Sequence, residues 1–117
     1  MQSVHFNQRR PQMIHELLFQ NPVFHQGLNV TVRNGDKWMR PNVGDKLSIK
    51  ETGKDAVISE GVVIGKALLP IRLVPETLLQ YEHDPSCRNL AGLMTEMKRI
   101  YPGFTDDSLV TVLLFNV

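Results

Sequence analysis

Several stretches of the chain alternate between apolar and polar side chains, the pattern of strands with one buried face. Residues 30–33 alternate valine with polar residues, and residues 47–49 repeat the pattern around a serine. A longer strand region is predicted from Ala56 to Val74, interrupted at Gly61, Gly65 and Pro70. Two glycines four residues apart in a strand indicate a bulge or a close backbone approach, as in a curved sheet. Residues 109–115 are apolar apart from one threonine and predict a strand buried on both faces.

Other stretches place apolar residues at helical spacing. Residues 11–20 begin with a proline, which suits the first turn of a helix, and we predict a short amphipathic helix there. Pro75 opens a second, shorter helix, and an asparagine at residue 34 followed by Gly35 predicts a turn. A longer helix is predicted from an apolar stripe that ends before Pro102; its members are Leu90, Leu93, Met94, Met97 and Ile100.

Together these elements predict an α+β fold. Residues 2–7 add a short first strand, which gives about five or six strands, a helix near the front and two helices before the last strand. Strands of this length around one core favour a small β-barrel flanked by helices. The length of 117 residues fits one domain spanning residues 1–117.

Composition narrows the class of protein. A hydrophobic fraction of 42% and a charged fraction of 21% are typical of a folded domain. The one cysteine, Cys87, excludes an internal disulfide and a four-thiolate zinc site. No apolar run has the length of a membrane span, and none follows Arg9 and Arg10 as in a signal peptide. We therefore expect a cytoplasmic protein with no membrane association.

Familiar cofactor and metal motifs are incomplete. Gly61–Lys66 resembles a phosphate-binding loop but has three residues between its glycines instead of four. His15 and Glu16 begin like a zinc-protease helix, but Phe19 stands where the second histidine is needed. The sequence therefore predicts no metal site and no cofactor.

The segment from Gly27 to Lys50 carries the most informative pattern. It runs Gly27-Leu-Asn-Val-Thr31-Val-Arg33, continues through a basic loop with Trp38, and reaches Val43-Gly-Asp-x-Leu47. Near the other end, Leu90-x-x-Leu93, then Ile100-Tyr-Pro-Gly103, precede an apolar strand ending in Phe115. This arrangement resembles the ASCH domains of the PUA-like superfamily, in particular the small bacterial ASCH proteins.

The resemblance implies a β-barrel whose cleft is lined by the Thr-x-Arg strand. Some small bacterial members hydrolyse acetylated cytidine with a lysine, a threonine and a glutamate. Thr31 and Arg33 match the family pattern, but Leu28 occupies the lysine position. The glutamate is expected near residues 62–68, which contain no acid, and Glu60 is the closest carboxylate. An unactivated threonine hydroxyl is a poor nucleophile, which weighs against hydrolysis.

These observations lead to one leading hypothesis and two alternatives. The leading one is a non-catalytic domain that binds RNA or a nucleotide-like ligand in a cleft near Thr31 and Arg33. Its predicted binding residues are Thr31, Arg33, Lys37, Trp38, Arg40 and Lys66. The first alternative is an amidohydrolase acting on acetylcytidine-type nucleosides through Thr31, Lys66 and Glu60. The second is a protein-interaction module that uses the helix of Met94 and Met97 or the loop of residues 34–44.

Charge alone does not separate these hypotheses. The net charge is +1, yet residues 1–50 carry seven basic and three acidic side chains and residues 51–117 carry six and nine. Such a gradient permits a local basic patch. The same residues also fit a plain domain in which the cations are solvated and Trp38 covers the core.

Overall fold

The computed structural model describes residues 11–20 and 22–117 as a five-stranded mixed sheet with helices packed against one face. The α+β class predicted from the sequence is confirmed, and the predicted strand at residues 2–7 lies outside the described residues. The strands are β1 (Ile14–Phe19), β2 (Leu28–Asn34), β3 (Lys46–Glu51), β4 (Val57–Pro70) and β5 (Leu109–Asn116). The helices are α1 (Glu76–Leu79) and α2 (Leu90–Ile100), and 3₁₀ turns span Lys37–Met39, Ile71–Leu73 and Pro85–Cys87.

The predicted helix over residues 11–20 is wrong, because this segment forms β1 and pairs in parallel with β3. Leu17 and Phe19 are buried while Ile14 and Leu18 are exposed, so burial follows the two-residue period of a strand. The apolar positions fit both periods over so short a segment. Pairing with β3, which supplies partners for the backbone, decides between them.

The strand order is β1-β3-β4-β5-β2, which puts the last strand of the chain between β4 and β2. As predicted, β5 is buried on both faces. Val110 and Val112 join the core beneath α2, whereas Leu113 and Phe115 join a second core on the other face of the sheet. The position of β5 therefore explains why its sequence is apolar almost throughout.

The sheet rolls up without closing. In the described part of the chain β1 and β2 are the two outer strands and do not pair with each other. Nevertheless, the rings of Phe19 on β1 and Phe115 on β5 lie 6.3 Å apart, and Arg33 on β2 donates to the carbonyl oxygen of Leu18 on β1. The predicted barrel is thus an open roll with a seam between β1 and β2.

Close backbone approaches account for two glycines, Gly61 and Gly92. A Cβ at Gly61 would lie 2.9 Å from the carbonyl oxygen of Asn116, and the register of β4 shifts between Val63 and Gly65. Both features match the predicted close approach and bulge. In α2, a Cβ at Gly92 would collide with the carbonyl oxygen of Ser86, so the preceding turn packs directly against the helix.

Candidate functional site

A cleft of about 580 Å³ opens at the seam of the rolled sheet. One wall is formed by the end of β1 and the other by β2, with residues 82–84 and the last two turns of α2 closing the sides. Residues 81–83 reach this place because they pair with the outer edge of β2. The amide of Val30 donates to the carbonyl of Tyr81 at 2.7 Å, and its carbonyl accepts from the amide of His83 at 3.2 Å.

The structure brings Thr31 and Arg33 together in this cleft. They are two residues apart on β2 and therefore project from the same face of the strand. The Nε of Arg33 donates to Oγ1 of Thr31 at 3.1 Å, and its terminal nitrogen donates to the carbonyl of Leu18 at 2.9 Å. Both acceptors are neutral, so neither bond offsets the charge of the guanidinium.

Two aromatic rings lie close to this guanidinium. Its carbon is 4.6 Å from the ring centre of Phe19 and 5.8 Å from that of Trp38. Burial lowers the pKa of Arg33, while the charges of Glu82 and Tyr101 act in the opposite direction. The side chain stays a donor-only cation, since arginine keeps its proton in proteins.

The cleft also contains a carboxyl group that the sequence analysis missed. Glu82 is 3% exposed, and its Oε1 lies 3.0 Å from Nε2 of His83 and 3.4 Å from the amide of Asp84. Its Oε2 has no hydrogen-bond partner among the described residues. Burial, partly offset by backbone amides and by Arg33, raises the pKa of Glu82 to about 8. The carboxyl is therefore mostly protonated at neutral pH, and its second oxygen is buried at the edge of the cleft.

Lys66 and Glu60, the other residues of the predicted hydrolase set, are not assembled with Thr31. Leu113 pairs with Thr31 on one side and with Lys66 on the other, so a buried leucine stands between them. The Nζ of Lys66 donates to the carbonyl of Met39 at 2.7 Å and ties down the turn after β2. Glu60 is exposed. It precedes Gly61, which pairs with buried Leu47, and successive strand residues point to opposite faces. The side chain of Glu60 therefore points away from the face that carries Thr31.

Lys37, Trp38 and Arg40 lie beside the cleft instead of in it. They surround a second hollow of about 280 Å³ between the 3₁₀ turn and the beginning of β1. Trp38 is half-buried and packs against the core of the rolled sheet. Trp38 therefore covers part of the core, as one of the two interpretations of its sequence position predicts, and its role in binding stays a prediction.

Other candidate groups have structural surroundings. Met97 is buried and Met94 packs against the same core, so this stripe of α2 is occupied within the molecule. Burial raises the pKa of Cys87 to about 12, which leaves its thiol unreactive. Within residues 11–20 and 22–117, no cluster of histidine, cysteine and acidic side chains is arranged to hold a metal ion. The same residues include no helix that is long and apolar enough to cross a bilayer.

Comparison with solved structures identifies the fold. An ASCH domain from Lactobacillus crispatus JV V101 superimposes with a TM-score of 0.61 at 12% identity, covering 90% of this chain and 79% of that one. Protein EF3133 from Enterococcus faecalis V583, of the DUF984 family, gives 0.54 at 18% identity, covering 76% of this chain and 60% of that one. By sequence, no family and no curated protein matches. The chain has an ASCH-like fold, as its motifs indicated.

Proposed function

We propose that the seam cleft binds the base of an unpaired RNA nucleotide or a nucleotide-like ligand, without chemical change to it. The observation that carries this proposal is that two polar groups share one cleft. One is the guanidinium of Arg33, whose hydrogen bonds go to neutral acceptors, and the other is a carboxyl group with one oxygen that has no partner among the described residues. The edge of a nucleobase presents donors and acceptors side by side. Arg33 supplies donors for such an edge, and the carboxyl of Glu82 borders the same cleft.

The shape and charge of the cleft suit such a ligand. A volume of about 580 Å³ lies within the range of small-ligand sites. The half-exposed ring of Tyr101 borders the cleft and offers a stacking surface, the usual device for holding an unpaired base. Arg33 donates charge-assisted hydrogen bonds, which favours a ligand that carries phosphate, although Asp84 and Glu96 also line the cleft.

The surroundings of Thr31 argue for binding without hydrolysis. A threonine nucleophile needs a base to accept its proton, and the group bonded to Oγ1 is an arginine, which can only donate. Lys66 is held at Met39, behind Leu113 as seen from the cleft. Thr31 is thus placed to orient Arg33.

The binding test uses a fluorescent single-stranded RNA of about eight nucleotides and the four nucleoside monophosphates, titrated near 50 mM and 200 mM salt. We expect Arg33→Ala to weaken binding by about 10- to 100-fold, because a charge-assisted hydrogen bond is lost. Arg72→Ala, which removes an exposed arginine paired with Asp107, is the matched control and should bind as the wild type does. Circular dichroism verifies that each variant is folded. Absence of binding at low salt, or full affinity in folded Arg33→Ala, refutes the proposal.

One observation favours a second function, deacetylation of an acetylcytidine-type nucleoside. A carboxyl group that holds its proton at neutral pH is suited to act as a general acid, and Glu82 lies in the same cleft as Thr31. Incubation with acetylcytidine and separation of the products measures this directly. Turnover that is lost in both Thr31→Ala and Glu82→Gln supports the second function, whereas turnover that survives both changes excludes this site.

A further inference from the structure

The helices leave part of one sheet face uncovered. They pack over β2 and β5, whose apolar side chains form the core beneath α2. On β1, β3 and β4 the same face carries side chains that are exposed or half-buried, because these strands fill the core inside the roll from their other face. Three apolar side chains on it, Ile14, Val57 and Val62, are 69%, 51% and 39% exposed. Exposed apolar side chains that cluster on a sheet face are typical of an interaction surface.

Strand register arranges this face in three rows of three residues. Ser48 lies at the centre, with Glu16 beside it on β1 and Glu60 beside it on β4. Lys46 and Lys50 lie two residues before and after Ser48 and therefore project from the same face of β3. Apolar residues occupy the four corners: Ile14, Leu18, Val57 and Val62. We call these nine residues the outer patch.

The charges of the outer patch are only partly paired within the chain. Lys50 and Glu16 form an ion pair at 2.8 Å. Lys46 and Glu60, by contrast, form no ion pair with any described residue. The outer patch therefore presents one cation and one carboxylate whose opposite charges another surface can supply. A surface that carries the same two groups supplies both.

The pattern of the outer patch is complementary to itself when one copy is turned by 90°. The two lysines lie along β3 and the two glutamates lie across the strands, and both pairs are centred on Ser48. Each lysine is about 6.7 Å from this centre, two residues along the strand, and each glutamate is about 4.8 Å from it, one strand spacing away. When two such patches face each other with their strands crossed, each lysine therefore lies within about 2 Å of a position over a glutamate. Crossing near a right angle is one of the two usual packings of sheets.

We propose that the outer patch is the interface of a homodimer, in which two copies of the chain pack face to face about a two-fold axis with their strands crossed. Lys46 of each copy pairs with Glu60 of the other, so the same contact forms twice. In this arrangement Val62 lies near the axis and contacts its own counterpart, while Ile14 meets Val57 of the other copy. An interface three strands wide lies at the small end of the range for protein pairs, so we expect a weak dimer with a Kd of about 0.1 mM. This proposal does not depend on what the seam cleft binds.

Sedimentation velocity from about 10 μM to about 1 mM protein, at low salt, measures the dimer and the effect of charge reversal. Lys46→Glu alone and Glu60→Lys alone each place like charges opposite each other, and each is expected to raise the Kd by about tenfold or more. An equimolar mixture of the two variants restores opposite charges at both contacts and should dimerise as the wild type does. The matched controls are Lys98→Glu and Glu76→Lys, which make the same charge changes at exposed helical positions and should leave the Kd unchanged, alone and mixed.

A cysteine on the axis provides a second measurement. Val62→Cys should form a disulfide between two copies on mild oxidation, whereas Leu73→Cys, at an exposed apolar position outside the outer patch, should not. The native Cys87 is buried and does not compete. A wild type that stays monomeric at about 1 mM overturns the proposal and leaves the outer patch to a different partner. A dimer that both single variants retain, or a mixture of them that stays monomeric, also overturns it.

Discussion

Replacing Glu82 by glutamine tests the electrostatics of the seam cleft most directly. The folded protein holds the pKa of this carboxyl at about 8, against an ordinary value of 4.5, because burial opposes its ionisation. Between these two pH values the unfolded chain releases a proton that the folded chain keeps. Stability therefore falls as pH rises through this window, and the loss is complete above pH 8. Glutamine has the same shape and does not titrate, so the variant lacks this loss.

The size of the effect follows from the two pKa values. Each pH unit in the window costs about 1.4 kcal/mol of unfolding free energy. Between pH 5 and pH 8 the difference in stability between Glu82→Gln and the wild type is therefore expected to change by about 4 kcal/mol in favour of the variant. That is a large fraction of the whole stability of a small domain, so it lies well within reach of measurement.

Urea unfolding followed by circular dichroism at pH 5, 6, 7 and 8 gives the free energies. Glu60→Gln is the matched control, since it makes the same chemical change at an exposed position. It should leave the pH dependence of the wild type unchanged. Parallel curves for Glu82→Gln and the wild type would refute the reasoning, because they would mean that the folded protein does not raise the pKa of Glu82.

Three further changes test the framework around the site, each by urea unfolding. Asp45→Ala removes a buried carboxylate that accepts from two partly buried amides and should cost about 3 kcal/mol of stability, whereas exposed Asp55→Ala should stay within about 0.5 kcal/mol. Equal effects would show that the carboxylate is not a structural acceptor. Gly92→Ala should lower the free energy of unfolding by about 1–3 kcal/mol, because the added methyl group collides with the backbone of Ser86. A gain in stability would contradict the close packing of this turn against the helix. Leu113→Ala should lower the free energy of unfolding by about 2–5 kcal/mol, and Leu109→Ala, at a half-exposed position, by less than about 1 kcal/mol. The reverse order would contradict the burial of β5.

The fold was predictable where local pattern and tertiary environment agree. The apolar run of β5 fits a buried strand and the apolar stripe of α2 fits a helix. Both elements were predicted close to their observed bounds. Residues 11–20 were not, because so short a segment fits either period and its partner β3 lies more than two dozen residues later. Which period applies is settled by that distant pairing.

The site was predictable only along one strand. Thr31 and Arg33 are neighbours on β2, so their spacing alone places them side by side. Glu82 comes from a segment with no motif of its own, and it reaches the cleft only because its backbone pairs with Val30. Lys66 looked suitable by charge, but Leu113 on the intervening strand separates it from Thr31. Contacts between distant segments of this kind leave no local trace in the sequence.

The central position of β5 has a consequence for how quickly the chain reaches its native state. Thr31 pairs with Leu113, more than half the chain away, and both hydrophobic cores contain residues of β5. Loop closure over such a separation must precede any gain from packing, which slows folding in proteins of this topology. Until residues 109–116 insert between β2 and β4, the remaining strands expose unpaired edges, so this interval is when the chain is most prone to aggregate.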